Sequence, residues 1–291
     1  MKEEIIYLYN LDNIEMHYDK NNTFIYNGIK YIIIKTNRTD EELNEIYNLT
    51  YNNTIYDKLI KTRFNKLTFI HDKNKYVLIK CNHKNINILN YILNNNNSLN
   101  TKNSILMHNN WYMLISKKID YIEYQYTHIK EKYPLIDESI NYYIGMAESS
   151  LSYLKYIEKT NIKADSIVIS HRRLSSMNSF YNPTNLILDS KMRDLSEILK
   201  YSFLNNININ LEKILLENNY SNYQYGKLIS RMLYPSFYFD SYEKIINESH
   251  NEECLKSIIE RSKEYEIYLY KIIEIINRKI KIKKIEWLKP F

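Results

Sequence analysis

Short runs of β-branched and aromatic residues, separated by polar turns, dominate the first third of the chain. The runs at 23–26 and 30–35 flank the dipeptide Asn27-Gly28. This dipeptide favours a tight turn because both of its residues tolerate positive φ. The pattern therefore predicts a β-hairpin over these two runs.

A second hairpin is predicted from the runs at 66–70 and 75–80, which flank another polar turn. Between the two hairpins, Thr39 and Glu42 have the spacing of a capping box, in which each side chain hydrogen-bonds the other residue's backbone N–H. A helix is expected to begin there. The predicted order is hairpin, helix, hairpin, followed by a polar, Asn-rich surface loop around 94–98.

Beyond Pro134, the apolar positions change to a helical period, which places them on one face of a helix. They are Ile140, Ile144, Ala147, Leu151 and Leu154. Two short apolar strands follow, at 167–169 and 186–188; the first ends at Ser170-His171 and the second at Asp189. Polar groups at strand ends are candidates for a functional site.

Further helical patterns complete the chain. The first, at 194–203, has Asp194 in its first turn, where the helix dipole favours negative charge. The second, at 228–233, is ended by Pro235, and a long closing helix is predicted from 255 to 276. We therefore predict an α+β protein with a small β-rich lobe and a larger, mainly helical lobe.

The predicted boundaries follow these pattern changes. Residues 1–82 form the β-rich lobe with one helix, 83–110 an Asn-rich connection, and 111–291 the helical lobe. A length of 291 residues suits two such lobes.

The net charge of +6 is mild, and its one concentrated run is 278–284. This run fits an edge strand or a solvated helix end as well as a phosphate-binding surface, so a nucleic-acid partner is not favoured. Cys81 and Cys254 form no CxxC pair, which gives no sign of a disulfide framework or a thiolate zinc site. The chain shows no apolar signal core and no run long enough to span a bilayer, so a soluble cytoplasmic protein is expected.

Several common catalytic motifs are missing from the sequence. With 3 glycines in the chain, GxGxxG, GxxxxGK[ST] and GxSxG are excluded, and HExxH does not occur. Dinucleotide-binding, P-loop, α/β-hydrolase and zincin chemistries are therefore set aside.

A set of short motifs runs through the second half of the chain. They are Ile169-Ser170-His171-Arg172-Arg173, Tyr181-Asn182-Pro183, Leu188-Asp189, Arg193-Asp194-Leu195-Ser196-Glu197, Arg231-Met232-Leu233-Tyr234-Pro235 and Tyr265-Glu266, with weaker agreement at Gly145-Met146-Ala147-Glu148. Together they resemble the aminoglycoside-phosphotransferase branch of the protein-kinase-like fold, and more closely its spore-coat offshoot of the CotS/YutH type. The resemblance covers most of 111–291 and extends to the first lobe only through the order of its elements.

In active members of the wider family, the loop reads His-x-Asp-x-x-x-x-Asn, followed by a strand that ends in a second Asp. The first Asp orients or deprotonates the acceptor hydroxyl, while the Asn and the second Asp hold magnesium against the nucleotide phosphates. The resemblance places His171 at the His, Arg173 at the catalytic Asp, Asn178 at the Asn and Asp189 at the metal-binding Asp. The first carboxylate is therefore replaced.

Arg173 cannot act as a base, since a guanidinium stays protonated, but it would still bind an anion, with Arg172 beside it in the loop. Asn182 and Asn185 are alternatives to Asn178. The resemblance gives His171 and Asp194 structural roles: His171 would pack under the loop and Asp194 would hydrogen-bond its backbone. Asp189 has a structural alternative too, as the cap of a turn.

In the first lobe, the resemblance implies that Lys35 contacts nucleotide phosphates and pairs with Glu45, Glu41 or Glu42 on the next helix. A solvated strand-end lysine is the alternative interpretation. No glycine-rich phosphate-covering loop is present, because Gly28 belongs to the hairpin turn.

Two classes of function follow. The favoured one is a kinase-like protein without normal phosphotransfer, a pseudokinase that binds a protein or a small anionic ligand. The alternative is a divergent phosphotransferase that uses ATP and magnesium, with Asp189 for the metal and Asp165, Asp189 or the substrate itself supplying the base. The resemblance also implies a spore-coat location if the source organism makes spores.

Overall fold

A computed structural model describes residues 1–12, 15–17, 22–82, 86–95, 98–99, 103–160, 164–174 and 176–289. The chain divides into two units, each made of several segments. The first unit consists of Met1–Tyr91, Asn100–Met107 and Ile169–Leu188. The second unit consists of Ile92–Leu99, His108–Val168 and Asp189–Phe291.

Most of the strands belong to the first unit. The strands are β1 (Glu15–His17), β2 (Thr23–Tyr26), β3 (Ile29–Lys35), β4 (Lys58–Ile60), β5 (Thr68–His71), β6 (Asn74–Lys80), β7 (Ile167–His171) and β8 (Leu186–Ser190). The first six form an antiparallel sheet in the order β1-β2-β3-β6-β4, with β5 also paired to β6. Strands β7 and β8 pair in a separate sheet.

The helices lie mainly in the second unit. They are α1 (Lys2–Tyr9), α2 (Asp40–Thr50), α3 (Ile88–Asn94), α4 (Trp111–Ile129), α5 (Pro134–Thr160), α6 (Met177–Tyr181), α7 (Lys191–Leu204), α8 (Leu211–Leu216), α9 (Asn222–Leu233), α10 (Ser236–Ile246), α11 (Lys256–Glu260) and α12 (Ser262–Asn277). Short 3-10 helices cover Pro183–Asn185 and Glu252–Leu255. Within the described residues, none of the helices has the length and apolarity to cross a membrane.

Both predicted hairpins are confirmed. In the first, Tyr26 faces Ile29 across the turn, and Asn27 and Gly28 have φ values of 50° and 73°. In the second, β5 pairs with β6 in antiparallel register. The polar loop predicted around 94–98 includes Asn96 and Asn97, which lie outside the described residues.

The predicted capping box at the start of α2 is also confirmed. The backbone N–H of Glu42 donates to Thr39 Oγ1 at 3.2 Å, and the backbone N–H of Thr39 donates to Glu42 Oε2 at 2.9 Å. These bonds satisfy two backbone donors that a helix start would otherwise leave without partners. They also fix the direction in which Glu42 points.

One hydrophobic cluster of the first unit is formed by residues that α1 and the sheet bury together. They are Ile5, Phe24, Ile33, Phe69 and Leu78. Helix α1 was not predicted from the sequence, because Ile5 is its one buried residue and a single position shows no period.

Helix α4 was missed although its signal is present in the sequence. Trp111, Ile115, Ile119 and Ile122 are buried along it at helical spacing. The helical region therefore begins well before Pro134. The predicted face of α5 is confirmed for Ile140, Ile144, Ala147 and Leu154, which are buried, while Leu151 on the same face is half-buried.

Helices α5 and α9 approach closely through small residues. Ser150 Oγ donates to the carbonyl of Ser230 at 2.7 Å. A Cβ added to Gly226 would lie 2.7 Å from Ile157 Cγ2, closer than real Cβ atoms come. This contact requires glycine at position 226 and brings α9 into the middle of the second unit.

The prediction of one long closing helix is wrong. The chain leaves helical geometry at Arg261, where φ is −92° and ψ is 9°, and this break separates α11 from α12. The Arg261 guanidinium donates to the carbonyls of Phe203 and Leu204, each at 3.0 Å. Arg261 thus supplies donors to the C-terminal carbonyls of α7, which have no partners within their own helix.

The basic run at 278–284 follows the end of α12 and forms no strand within the described residues. Arg278 pairs with Glu212 at 2.7 Å, and Lys283 lies 4.6 Å from the centre of the Tyr156 ring. The run therefore contacts its own chain at these points, as a helix end with solvated side chains does.

Candidate functional site

The His171 side chain is buried at the end of β7. Its Nε2 lies 3.0 Å from the carbonyl oxygen of Phe180 and donates to it. The imidazole ring lies 4.8 Å from the Phe180 ring and 5.9 Å from the Tyr56 ring, measured between centroids. These contacts tie the loop that follows β7 to the aromatic side chains around it.

The amide of Asn185 holds this loop together. Its Oδ1 accepts from the backbone N–H of Arg173 at 3.2 Å, and its Nδ2 donates to the carbonyls of Arg173 at 2.6 Å and Ser179 at 3.0 Å. Asn182 has a similar local function, since its Oδ1 accepts from the backbone N–H of Thr184 at 2.9 Å. Both amides are thus engaged by the loop itself, whereas Asn178 is exposed on α6.

Two guanidinium groups share the Glu42 carboxylate. Arg38 Nη1 lies 2.8 Å from Glu42 Oε1, and Arg172 Nη2 lies 3.3 Å from the same oxygen. Burial raises the pKa of Glu42, but the hydrogen bonds from Thr39 and Arg38 and the charges of both arginines outweigh it, so the pKa lies below its ordinary value. These two arginines and Glu42 carry a net charge of +1.

The two arginines differ in exposure. Arg38 is 2% exposed, and its guanidinium also donates to the carbonyls of Thr184, at 3.1 Å, and Leu186. The Arg172 side chain is 44% exposed, and its pKa is lowered by burial first and by the charge of Arg38 second. Arg173 Nη1 donates to the carbonyl of Arg172 at 3.1 Å. Sequence reasoning missed Arg38, because an arginine between a strand and a helix is usually solvated and no local pattern marks it as buried.

Lys35 is exposed at the end of β3, where it faces Tyr76 on β6. The Glu45 carboxylate accepts a hydrogen bond from Ser104 Oγ. Across the described residues, no ion pair joins Lys35 to Glu45 or to either alternative glutamate of α2. The structure thus places Lys35 and Glu45 on adjacent elements without bringing their charges into contact.

In the second unit, Asp189 is completely buried. Trp111 Nε1 donates to both carboxylate oxygens, each at 2.9 Å. Arg193 Nη1 lies 2.7 Å from Oδ2, and the backbone N–H of Ser190 lies 2.6 Å from Oδ1. Two of these donors, from Ser190 and Arg193, lie at the start of α7.

The Trp111 ring is flanked by cations from α9. Lys227 Nζ lies 4.0 Å from the centre of the ring, and the Arg231 guanidinium lies 5.3 Å from it. Each cation has its own carboxylate, with Lys227 2.8 Å from Asp165 and Arg231 2.5 Å from Glu197. We call these residues the Asp189 cluster: Asp165, Asp189, Arg193, Glu197, Lys227, Arg231 and Trp111. All are buried except Asp165, whose side chain is 13% exposed.

Asp165, one of the groups named as a possible base, belongs to this cluster. Its Oδ2 accepts from Lys227, and its Oδ1 accepts from Ser190 Oγ at 2.9 Å. Asp194 is buried in the first turn of α7, where the helix dipole favours its negative charge. Asp165 thus contacts the N-cap residue of α7, and Asp194 belongs to the first turn of that helix.

A family model described as "Spore coat putative kinase YutH" matches residues 2–272. The chain belongs to this YutH family. The recognition made from the central motifs is therefore confirmed. A search of curated protein sequences found no match.

Solved structures similar to this YutH-family chain are phosphotransferases and kinases of small molecules. An aminoglycoside phosphotransferase from Alicyclobacillus acidocaldarius has a TM-score of 0.65 at 10% identity, over 95% of this chain and 96% of that one. An AMP-bound spectinomycin phosphotransferase has a TM-score of 0.56 at 14% identity, over 96% and 98% of the two chains. The amicoumacin kinase solved with AMP-PNP, Ca²⁺ and Ami has a TM-score of 0.52 at 12% identity, over 95% and 92%.

These likenesses show the fold. The chain has the α+β, two-lobed aminoglycoside-phosphotransferase-like fold predicted from the motifs. At such low identity the likeness extends to architecture and not to individual site residues.

The side chains of this YutH-family chain can be compared with those that a divalent cation needs. Among the described residues, no group of three or more His, Cys, Asp or Glu side chains lies close enough together to bind a metal ion. Asp189 is the carboxylate at the position of the family's metal-binding Asp. Its oxygens contact an indole N–H, a guanidinium and a backbone N–H. Such donors occupy the lone pairs that a cation would need, so the donor set does not fit a metal.

Proposed function

We propose that this YutH-family chain is a kinase-like binding or scaffold protein without normal phosphotransfer. The observation that carries the proposal is Arg173, which stands where the resemblance places the catalytic Asp. A guanidinium remains protonated at any working pH and accepts no hydrogen bond, so it cannot accept the hydrogen bond or the proton of an acceptor hydroxyl as the Asp does. The contacts made by Asn185 and Asp189 with their own chain support structural roles for these two residues of the kinase-like motifs.

The loop after β7 is the proposed binding surface. The half-exposed guanidinium of Arg172 lies beside the buried Arg38, and their shared carboxylate leaves net positive charge. Guanidinium groups recognise carboxylate and phosphate through paired hydrogen bonds. The proposed ligand is therefore an anionic group, on a protein partner or on a small molecule, and the family name supports a location at the spore coat.

An ATP-turnover assay on the purified full chain tests the proposal. We expect no ATP hydrolysis above the buffer background with magnesium present, with or without candidate hydroxyl acceptors. Turnover by the wild-type chain that disappears in Asp189→Ala, measured on folded protein, would overturn the proposal in favour of a phosphotransferase.

The second candidate function is a divergent nucleotide-dependent phosphotransferase. The observation that favours it is that two solved neighbours were obtained with AMP or with AMP-PNP and Ca²⁺. If the chain binds magnesium–ATP, a nucleotide concentration near 100 times its Kd should stabilise it by about 2.7 kcal/mol. Thermal unfolding with and without magnesium–ATP measures this.

Lysine variants on β3 sharpen the measurement. Under the phosphotransferase alternative, Lys35→Ala should weaken the nucleotide-dependent rise in Tm. Lys30→Ala is the matched control, because Lys30 is exposed on the same strand and has no proposed nucleotide contact. The absence of any Tm rise in the wild-type chain would contradict the phosphotransferase alternative.

A further inference from the structure

The buried Asp189 is the residue at which the resemblance and the structure differ most. Its carboxylate has about four lone-pair positions. Oδ1 accepts from Trp111 Nε1 and the Ser190 N–H, while Oδ2 accepts from Trp111 Nε1 and Arg193 Nη1. Three N–H donors therefore contact the two oxygens within 2.9 Å, and the single indole N–H of Trp111 is shared between them.

We propose that Arg193 and Trp111 substitute, within the protein, for the divalent cation that the resemblance assigns to Asp189. Asp189 is then a structural anion and binds no metal. This inference rests on the proposed function, since it explains how a kinase-like fold keeps this carboxylate stable without the metal of an active phosphotransferase.

The surroundings of Asp189 also exclude a hydrated ion. Mg²⁺ requires oxygen ligands at about 2.0–2.1 Å and usually keeps several of its waters. The Asp189 side chain is 0% exposed. The Trp111 ring, which covers it, is itself 2% exposed. The Arg193 guanidinium, 2.7 Å from Oδ2, takes the remaining space beside the carboxylate, so a hydrated cation has no room while Arg193 is present.

The positive charges around Asp189 also disfavour the binding of a cation. Arg193 already neutralises Asp189, and the cations Lys227 and Arg231 lie against the Trp111 ring that donates to it. A divalent ion placed there would bring two more positive charges into a buried region where charges are weakly screened. Removal of Arg193's charge is the change that should make a cation favourable.

The test is a titration with Mn²⁺ alone, without nucleotide, followed by its electron paramagnetic resonance signal and by thermal unfolding at constant ionic strength. We expect no stoichiometric Mn²⁺ binding to the wild-type chain. In Arg193→Gln, whose side chain is uncharged and shorter and so leaves space beside Oδ2, we expect Mn²⁺ binding and a Tm rise of about 5 °C near 100 times its Kd.

The contrary results are specific. One-to-one Mn²⁺ binding to the wild-type chain that is lost in Asp189→Asn would overturn the inference. So would a folded Arg193→Gln chain that gains no response to Mn²⁺. Because nucleotide is absent, either failure leaves the ATP-turnover test of the proposed function unaffected.

If Arg193→Gln does not fold, a paired replacement keeps the inference testable. Asp189→Asn combined with Arg193→Gln removes both charges together and leaves neither group buried without a counter-charge. We expect the double variant to have a higher Tm than either single variant. A double variant whose loss of Tm equals the sum of the two single losses would contradict the mutual neutralisation on which the inference depends.

Discussion

Beside the loop after β7, the Glu42 carboxylate of α2 is shared by two guanidinium groups, and that of Arg172 in the loop stays half-exposed. In the Asp189 cluster, by contrast, each carboxylate contacts a buried cation of its own. Glu42 serves both Arg38 and Arg172. In the second unit, Lys227 contacts Asp165 and Arg231 contacts Glu197. The first arrangement leaves positive charge near solvent, and the second neutralises charge inside the protein.

The difference separates binding from stability. A partly solvated guanidinium costs little to keep and remains accessible to an anion, so the loop is suited to a ligand. A buried charge without its partner is expensive, so every member of the Asp189 cluster depends on the others. We therefore expect substitutions in the cluster to lower the free energy of unfolding much more than substitutions in the loop.

Glu197→Ala should give the largest effect. Glu197 is buried and lies 2.5 Å from Arg231 and 3.5 Å from Lys200, so its removal leaves buried cations without this counter-charge. We expect a loss of about 3–5 kcal/mol in the free energy of unfolding, measured by urea denaturation. The control is Glu264→Ala, in which a largely exposed glutamate paired with Arg261 is removed. Its loss should stay below about 1 kcal/mol, and equal losses in the two variants would contradict the contrast.

Trp111→Phe should have the next largest effect. The substitution keeps an aromatic ring but removes the N–H that donates to both oxygens of Asp189. We expect a loss of about 1–3 kcal/mol, because a buried carboxylate loses a donor.

Trp287→Phe is the matched control for that variant. Trp287 also uses its indole N–H, which donates to Ser149 Oγ at 3.1 Å, but the residue is half-buried and its acceptor is neutral. A loss of about 1 kcal/mol or less is expected for Trp287→Phe. If the two tryptophan variants unfold at the same urea concentration, the hydrogen bonds from the Trp111 indole to Asp189 do not stabilise the fold more than the bond of a half-buried indole to a neutral acceptor.

Asn185→Ala probes the loop itself. The change removes hydrogen bonds to Arg173 and Ser179, all at partly buried positions, and should lower the free energy of unfolding by about 1–2 kcal/mol. Limited proteolysis should then cleave the loop faster. Asn178→Ala, at an exposed position on α6, should change stability by less than about 0.5 kcal/mol. A larger loss of unfolding free energy for Asn178→Ala than for Asn185→Ala would show that Asn178, and not Asn185, stabilises the loop.

The sequence predicted local features better than long-range ones. Asn27-Gly28 and the Thr39 capping box are specified by neighbouring residues, and both are present in the structure. The pairing of Asp189 with Arg193 was not predicted from the sequence, although the two residues are only four apart at a helix start. Trp111 lies 78 positions from Asp189, and no local period or motif records that contact.

The smallest expected effect concerns the pH dependence of Glu42 in the loop region. The pKa of the Glu42 carboxyl lies below the ordinary value of 4.5, so folding favours its ionised form. The ionised carboxylate therefore stabilises the folded chain above pH 4.5, and this stabilisation is lost as the pH falls through the folded pKa. The advantage of the wild-type chain over Glu42→Gln should be under about 1 kcal/mol near pH 7, because the glutamine amide oxygen still accepts a hydrogen bond from the buried Arg38 and Arg172 is partly solvated. It should shrink as the pH falls below about 4.5, as followed by urea denaturation at each pH. Glu3→Gln, at an exposed position in α1, is the control and should show no such convergence. An advantage that grows in acid would mean that Glu42 is protonated in the folded state, and the shared carboxylate would then not explain the charge of the loop.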